Sequence, residues 1–296
     1  MRKIAIINFK GGVGKTTITW LLGKYVSQSL NKRVLLFDID AQMSLTQALT
    51  FDGDNSDDKL IDSHFRYWQK NCCKKNMTIS NAWEQFISPD KQFKFNVDND
   101  FIYTELSPNL HFVPAVEGLY YHEVIRVKDP NIIRPSMEFI TQLVNKVDMS
   151  DKLTRYDYIL FDCPPSLSIL SCSVLKCVDT LIIPINPDFF AINGLGLLLM
   201  DVLWELKSIF NRDNFPKIYV LMNKAQLHSG SITKETKGYF LDAKSKAEEY
   251  STKDTFEIKC LDNFLNDCVA IKRVFRGDLP DKVKVQLNKI CKELNF

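Results

Sequence analysis

The sequence predicts an α/β fold, a doubly wound and mostly parallel sheet flanked by helices. Three observations lead there. Short apolar runs recur at 4–8, 33–37, 110–113, 158–161, 180–184 and 218–222. Helical patterns separate them, as in residues 16–30, where Ile18, Leu21, Leu22, Tyr25 and Val26 share one face. The runs are almost continuously hydrophobic rather than alternating, which is the pattern of strands covered on both faces by helices.

A chain of 296 residues, 45% hydrophobic and 25% charged, is long enough to bury a large core. Its 38 basic and 36 acidic residues leave a net charge of +2, so any binding to nucleic acid or an anionic membrane must come from a local patch. The first residues, MRKIAIINF, run into a glycine-rich loop without an apolar stretch of signal-peptide length. No run of 18 apolar residues occurs; the longest candidate, 191–206, is broken by Asn193, Asp201 and Glu205. The expectation is a cytoplasmic chain whose eight cysteines are reduced thiols. No CxxC pair is present, Cys72 and Cys73 are adjacent, and Cys172 and Cys177 read as core filling. His64, His111, His122 and His228 are scattered and read as surface or packing residues.

The whole chain, 1–296, reads as one domain with an elaborated insertion at about 52–107, partly helical around 79–86. Within it, Tyr67 and Trp68 beside Arg66 and Lys70 offer stacking surfaces for bases, but anchoring a small helix is the preferred reading. Residues 207–296 hold 17 Lys and Arg against 12 Asp and Glu and form the markedly basic third. At the end of it, Val283, Leu287, Ile290 and Leu294 share one helical face. A core-docked last helix is preferred there over a membrane-binding amphipathic tail.

The chemistry concentrates behind the first strand, in NFKGGVGKTT, residues 8–17. Glycines let successive backbone N–H groups turn onto phosphate oxygens, a lysine reaches the β and γ phosphates, and a hydroxyl holds Mg²⁺. Gly11, Gly12, Val13, Gly14, Lys15, Thr16 and Thr17 supply these parts between a strand and a helix. The general template would place a glycine at position 9, where this chain has Phe9, and it leaves Lys10 unexplained. Asp38 and Asp40 stand at alternate positions at the end of the second strand, where each can serve a different job. Asp162 ends the hydrophobic run at 158–161, as the carboxylate of a Mg²⁺-holding strand does.

Residues 10–17, KGGVGKTT, resemble the deviant Walker A motif of the ParA/MinD family of positioning ATPases. FDIDAQ at 37–42 resembles that family's D-x-D-P-Q pattern, and YDYILFDCPPS at 156–166 its Walker B strand. The resemblance covers 1–50 and 108 to about 225, and is most like ParA without an N-terminal DNA-binding domain. It implies that Lys10 crosses a dimer interface to the phosphates held by the other subunit, acting there as an arginine finger does. It also implies that Lys15 binds phosphate, Asp40 positions the attacking water, and Thr16, Asp38 and Asp162 serve Mg²⁺. Residues 183–197 would close around the nucleotide and enter an interface helix, and Asn223 would read the base. Ala41, Met43 and Ser44 depart from the pattern after Asp40, so the switch loop is expected to move differently.

The resemblance further implies an ATP- and Mg²⁺-dependent homodimer that binds a matrix and carries cargo with an adaptor, ParB-like or other, that stimulates hydrolysis. Nonspecific DNA is the preferred matrix, which would make the ATP form nucleoid-associated. Lys272, Arg273 and Arg276, with Lys234, Lys237, Lys244 and Lys246, are the candidate phosphate contacts. Gln226 stands where the family carries an arginine, and an arginine-bearing stretch near Leu261 is missing. A MinD-like membrane binder, a nucleotide-gated scaffold without turnover, and an iron–sulfur carrier using Cys163 stay open as alternatives.

Overall fold

A computed structural model describes residues 1–50, 66, 68–70, 78–87, 103–115, 119, 133, 136–149, 155–199, 215–251, 256–267 and 278–296. In chain order the first elements are β1 (Arg2–Ile6), α1 (Lys15–Ser29), β2 (Val34–Asp38), α2 (Ser44–Thr50), α3 (Ile79–Ile87), β3 (Tyr103–Ser107) and β4 (Leu110–Val113). There follow α4 (Phe139–Asp148), β5 (Tyr158–Asp162), α5 (Ile169–Cys177), β6 (Thr180–Ile185), α6 (Phe189–Leu197) and β7 (Lys217–Met222). A small hairpin of β8 (Leu227–His228) and β9 (Ser231–Ile232), then α7 (Lys234–Ser251), β10 (Ile258–Cys260) and α8 (Asp281–Glu293) complete it. Most of the expected insertion lies outside the described residues.

Among the described residues one large sheet has the order β10-β7-β6-β1-β5-β2-β4-β3. Every pairing is parallel except that of the edge strand β3 with β4. The continuous burial of β2, β4 and β6 is the physical counterpart of their unbroken apolar runs. Phe37 and Phe161, on neighbouring strands, stack with ring centroids 5.1 Å apart. Helix α1 lies so close to β2 that a Cβ on Gly23 would sit 2.8 Å from Leu36 Cδ2. The first strand begins and ends two residues earlier than the apolar run 4–8 suggests. Past Ile7, whose N–H still donates to the Ile182 carbonyl, the Asn8 side chain ties the following loop to β6. The edge strands β3 and β10 were not anticipated; β10 is three residues long with Lys259 exposed between buried neighbours, too short to show a period.

Helix α8 turns Val283, Leu287 and Ile290 fully into the core, and Leu294 just after it is buried too. Each such side chain contributes roughly 2 kcal/mol when removed from water. The Phe296 ring lies 4.8 Å from Tyr158, and Arg2 covers that ring while donating to the Leu294 carbonyl. The apolar face of the last helix is therefore occupied by this chain's own core. Trp68 is buried with its ring 6.5 Å from Phe112, so it too faces inward; Tyr67 lies outside the described residues. On α3, Trp83 is buried and its Nε1 donates to Ser136 Oγ at 3.1 Å, while Phe86 meets Phe139 of α4. Among the described residues the cysteines 163, 172, 177, 260 and 291 are buried. His111 is buried against the Tyr156 hydroxyl at 2.6 Å, and His228 is exposed in the hairpin. No helix among the described residues is long and apolar enough to cross a membrane.

Candidate functional site

The glycine loop is braced at its start. Asn8 Nδ2 donates to the Pro184 carbonyl at 2.7 Å, and its Oδ1 accepts from the Lys10 N–H at 2.9 Å. Gly12 and Gly14 hold φ of 73° and 92°, the left-handed region that L side chains avoid. Space forbids a side chain at Gly14 as well, since a Cβ there would meet Asn223 Nδ2 at 2.3 Å. Gly14 is the N-cap of α1, and no side chain caps that helix end. Its first-turn N–H groups, with the positive end of the helix dipole, make an anion site. Gly11 and Gly12 lie exposed at the loop tip, whereas Val13 is buried.

Behind the loop is a cleft of about 320 Å³ lined by Gly12, Lys15, Thr16, Thr17, Asp40 and Gln42 among others. Lys15 is buried there, and burial lowers its pKa against the upward pull of Asp162 and Asp40. Its Nζ donates to the Lys10 carbonyl at 3.2 Å, so the loop curls around its own lysine.

Two carboxylates stand on adjacent strand ends, because the register of β2 and β5 pairs Asp38 with Asp162. Burial pushes Asp38 up to about 7, although Thr46 and the Asp40 N–H stabilise its charge. Its Oδ2 accepts from the Thr46 N–H and hydroxyl at 2.8 and 2.7 Å, and its Oδ1 from the Asp40 N–H at 3.1 Å. Asp38 thus organises the segment that carries Asp40. Burial, and then Asp38, raise Asp162 well above the ordinary carboxylate value, while a hydrogen bond with Thr16 acts the other way. Asp162 Oδ2 is buried without a hydrogen-bond partner. An orphaned carboxylate oxygen beside a threonine hydroxyl at a phosphate loop fits Mg²⁺, which takes one or two carboxylates and fills its remaining positions with phosphate and water. Asp40 lines the cleft and accepts from the Gln42 N–H at 2.9 Å. Met43, just past Asp40, holds φ 58°, a left-handed backbone that a non-glycine residue adopts at some cost.

Lys10 has a different setting. Its Nζ lies 2.7 and 2.9 Å from the two oxygens of Asp188, each side chain being a little over a third exposed. Asp188 also caps α6, accepting from the Ala191 N–H at 2.8 Å. Burial acts upward on that carboxyl, but the bonds from Lys10 and from the helix end hold it below its usual range. Beyond the pair, Phe189, Phe190 and Leu197 of α6 are 61%, 75% and 63% exposed. The second lysine is therefore turned away from its own cleft, next to an uncovered apolar face.

Asn223, buried at the end of β7, donates from Nδ2 to the Val13 carbonyl at 2.8 Å, so the loop is where the structure puts its amide. The candidate DNA contacts Lys272, Arg273 and Arg276 lie outside the described residues. On α7, Lys234 and Lys237 are exposed, Lys244 is paired with Asp262, and Lys246 is half-buried. Cys163 is buried behind the loop with its thiol pushed well up by burial, and no metal-binding group of three or more His, Cys, Asp or Glu occurs among the described residues. Sequence reasoning passed over Asn8, Thr46, Asp188 and Lys224. Only Asp188 carried a signal, as a capping residue ahead of a helical run.

The model of an AAA domain family matches residues 1–213. The chain is 30% identical over 240 residues to the sporulation initiation inhibitor protein Soj of Bacillus subtilis, covering 81% of this chain and 80% of that one. It is 31% identical to a ParA family protein of Chlamydia trachomatis, covering 67% and 64%. Among solved structures, a variant of Cyanothece McdA in complex with ATP superposes with a TM-score of 0.72 at 18% identity, over 100% of this chain and 97% of that one.

Proposed function

The chain belongs to the ParA/MinD family, and from that premise we propose that it is a Mg²⁺-dependent ATPase whose ATP form is a homodimer that positions or segregates cargo. The observation that carries this reading is the contrast in one loop between a buried lysine in the cleft and a second lysine facing outward beside exposed phenylalanines. Bound ATP with Mg²⁺ supplies the terminal phosphoanhydride that water cleaves. Loop N–H groups and Lys15 bind and orient the phosphates. Thr16 and Asp162 hold the ion, with Asp38 fixing the strand end behind them. Asp40 aligns water at the cleft mouth. Lys10 leaves Asp188 and places its charge at the neighbouring subunit's phosphates, where such a cation speeds turnover roughly 10³-fold or more. Asn223, braced on the loop, is the candidate for the base contact.

Nonspecific DNA is the matrix this reading favours, through basic side chains of the last third of the chain, and an adaptor would trigger release. Burial of the α8 face supports DNA over a membrane. The reading places one ATPase domain in the cytoplasm, nucleoid-associated when ATP is bound. Phosphate release measured with Mg²⁺, ATP and duplex DNA tests it. Turnover that needs Mg²⁺ and disappears in Asp40→Ala is the expected result. Absence of release from the wild type, with nucleotide still bound, would make the protein a nucleotide-gated scaffold instead.

A further inference from the structure

A phosphate loop works when its N–H groups converge on the anion, which requires its carbonyls to point elsewhere and stay there. Successive carbonyls of this loop are held by successive residues of one distant segment. Asn223 Nδ2 takes the Val13 carbonyl at 2.8 Å, and Lys224 Nζ takes the Gly12 carbonyl at 2.6 Å. The segment is itself pinned. Asn223 N–H donates to the Ile185 carbonyl at 2.7 Å, and Ala225 N–H to the Leu265 carbonyl at 2.9 Å. Between those two anchors Lys224 holds φ 55°, a left-handed backbone that costs a non-glycine residue about 1 kcal/mol. At the protein surface, a lysine kept in such a conformation has its ammonium tied to a glycine carbonyl over 200 residues earlier.

We propose that Lys224 is a positioning residue of the phosphate site: it holds the Gly12 carbonyl away from the cleft, so that the loop's N–H groups are aimed at the α and β phosphates before nucleotide arrives. The inference rests on the nucleotide reading above and adds a residue to it. Because Lys224 acts through the loop and not on the γ phosphate, its loss weakens ATP and ADP alike.

Three variants separate this role from a packing role. Lys224→Gly relieves the backbone strain while deleting the ammonium, Lys224→Met deletes the ammonium alone, and Lys224→Arg keeps a donor. Binding is followed with fluorescent N-methylanthraniloyl ATP and ADP, and folding by thermal melting. Lys224→Gly is expected to melt no lower than the wild type, yet to bind both nucleotides about tenfold more weakly, as loss of a charge-assisted hydrogen bond implies. Lys224→Met should show the same loss, and Lys224→Arg should recover most of it. Unchanged affinity in Lys224→Gly, or a loss confined to the triphosphate, overturns the inference while nucleotide binding stands. A wild-type chain that binds neither nucleotide overturns the nucleotide reading, and the inference with it.

Discussion

Lys15 and Lys10 are five residues apart, yet they belong to opposite kinds of surroundings. On the Lys15 side the lysine is buried and the loop is braced: two left-handed glycines, Asn223 packed against Gly14, and a lysine ammonium returned to its own loop. The Lys10 side is half-exposed, held by one ion pair to Asp188, and next to phenylalanines that this chain leaves uncovered. Preorganisation within the subunit serves the first. The second is arranged so that a modest interaction can be exchanged for another, since a solvated ion pair contributes only about 0–1 kcal/mol. On the function proposed above, binding within the subunit and completion from outside it would fall on separate halves of one turn.

That contrast can be broken from either side. The largest effect belongs to the braced half: Gly14→Ala forces a Cβ into the left-handed region and against Asn223 Nδ2. It should destabilise the fold by about 3 kcal/mol, read by chemical denaturation, and abolish nucleotide binding. On the outward half, Phe190→Ser should leave the melting temperature nearly unchanged because the ring is already exposed. It should weaken ATP-dependent self-association about tenfold, as loss of an aromatic anchor at an interface does. The smallest effect sharpens the picture. Asp188→Asn keeps the cap on α6 but removes the charge that holds Lys10. Sedimentation should then show an ATP-bound dimer that is tighter, by less than about fivefold.

How much of this was legible in the sequence follows from the physics of each part. The central strands could be read because burial on both faces writes an unbroken apolar run, and the loop because phosphate binding demands glycines, a lysine and a hydroxyl in fixed order. Edge strands β3 and β10 escaped: β3 falls in the stretch read as an insertion, and β10 has three residues with an exposed lysine between buried neighbours. The same limit hid the second tier of the site. Asn8 and Lys224 reach backbone carbonyls far away in the chain, Thr46 reaches the Asp38 carboxylate eight residues earlier, and no local pattern marks such bonds. Asp38 shows the difference within one motif: its position was readable, but its engagement with Thr46 was visible only once the chain was folded.

The claim that Lys10 completes a neighbour's site is tested most directly by mixing two inactive variants, Lys10→Ala and Asp40→Ala. In a mixed dimer the Lys10→Ala subunit keeps its own Asp40 and Lys15 in one cleft and can receive Lys10 from its partner. The mixture should regain about a quarter of wild-type phosphate release, since half of the dimers are mixed and each of those has one working site. A mixture as inactive as either variant alone would place Lys10 in its own subunit's chemistry and contradict the account.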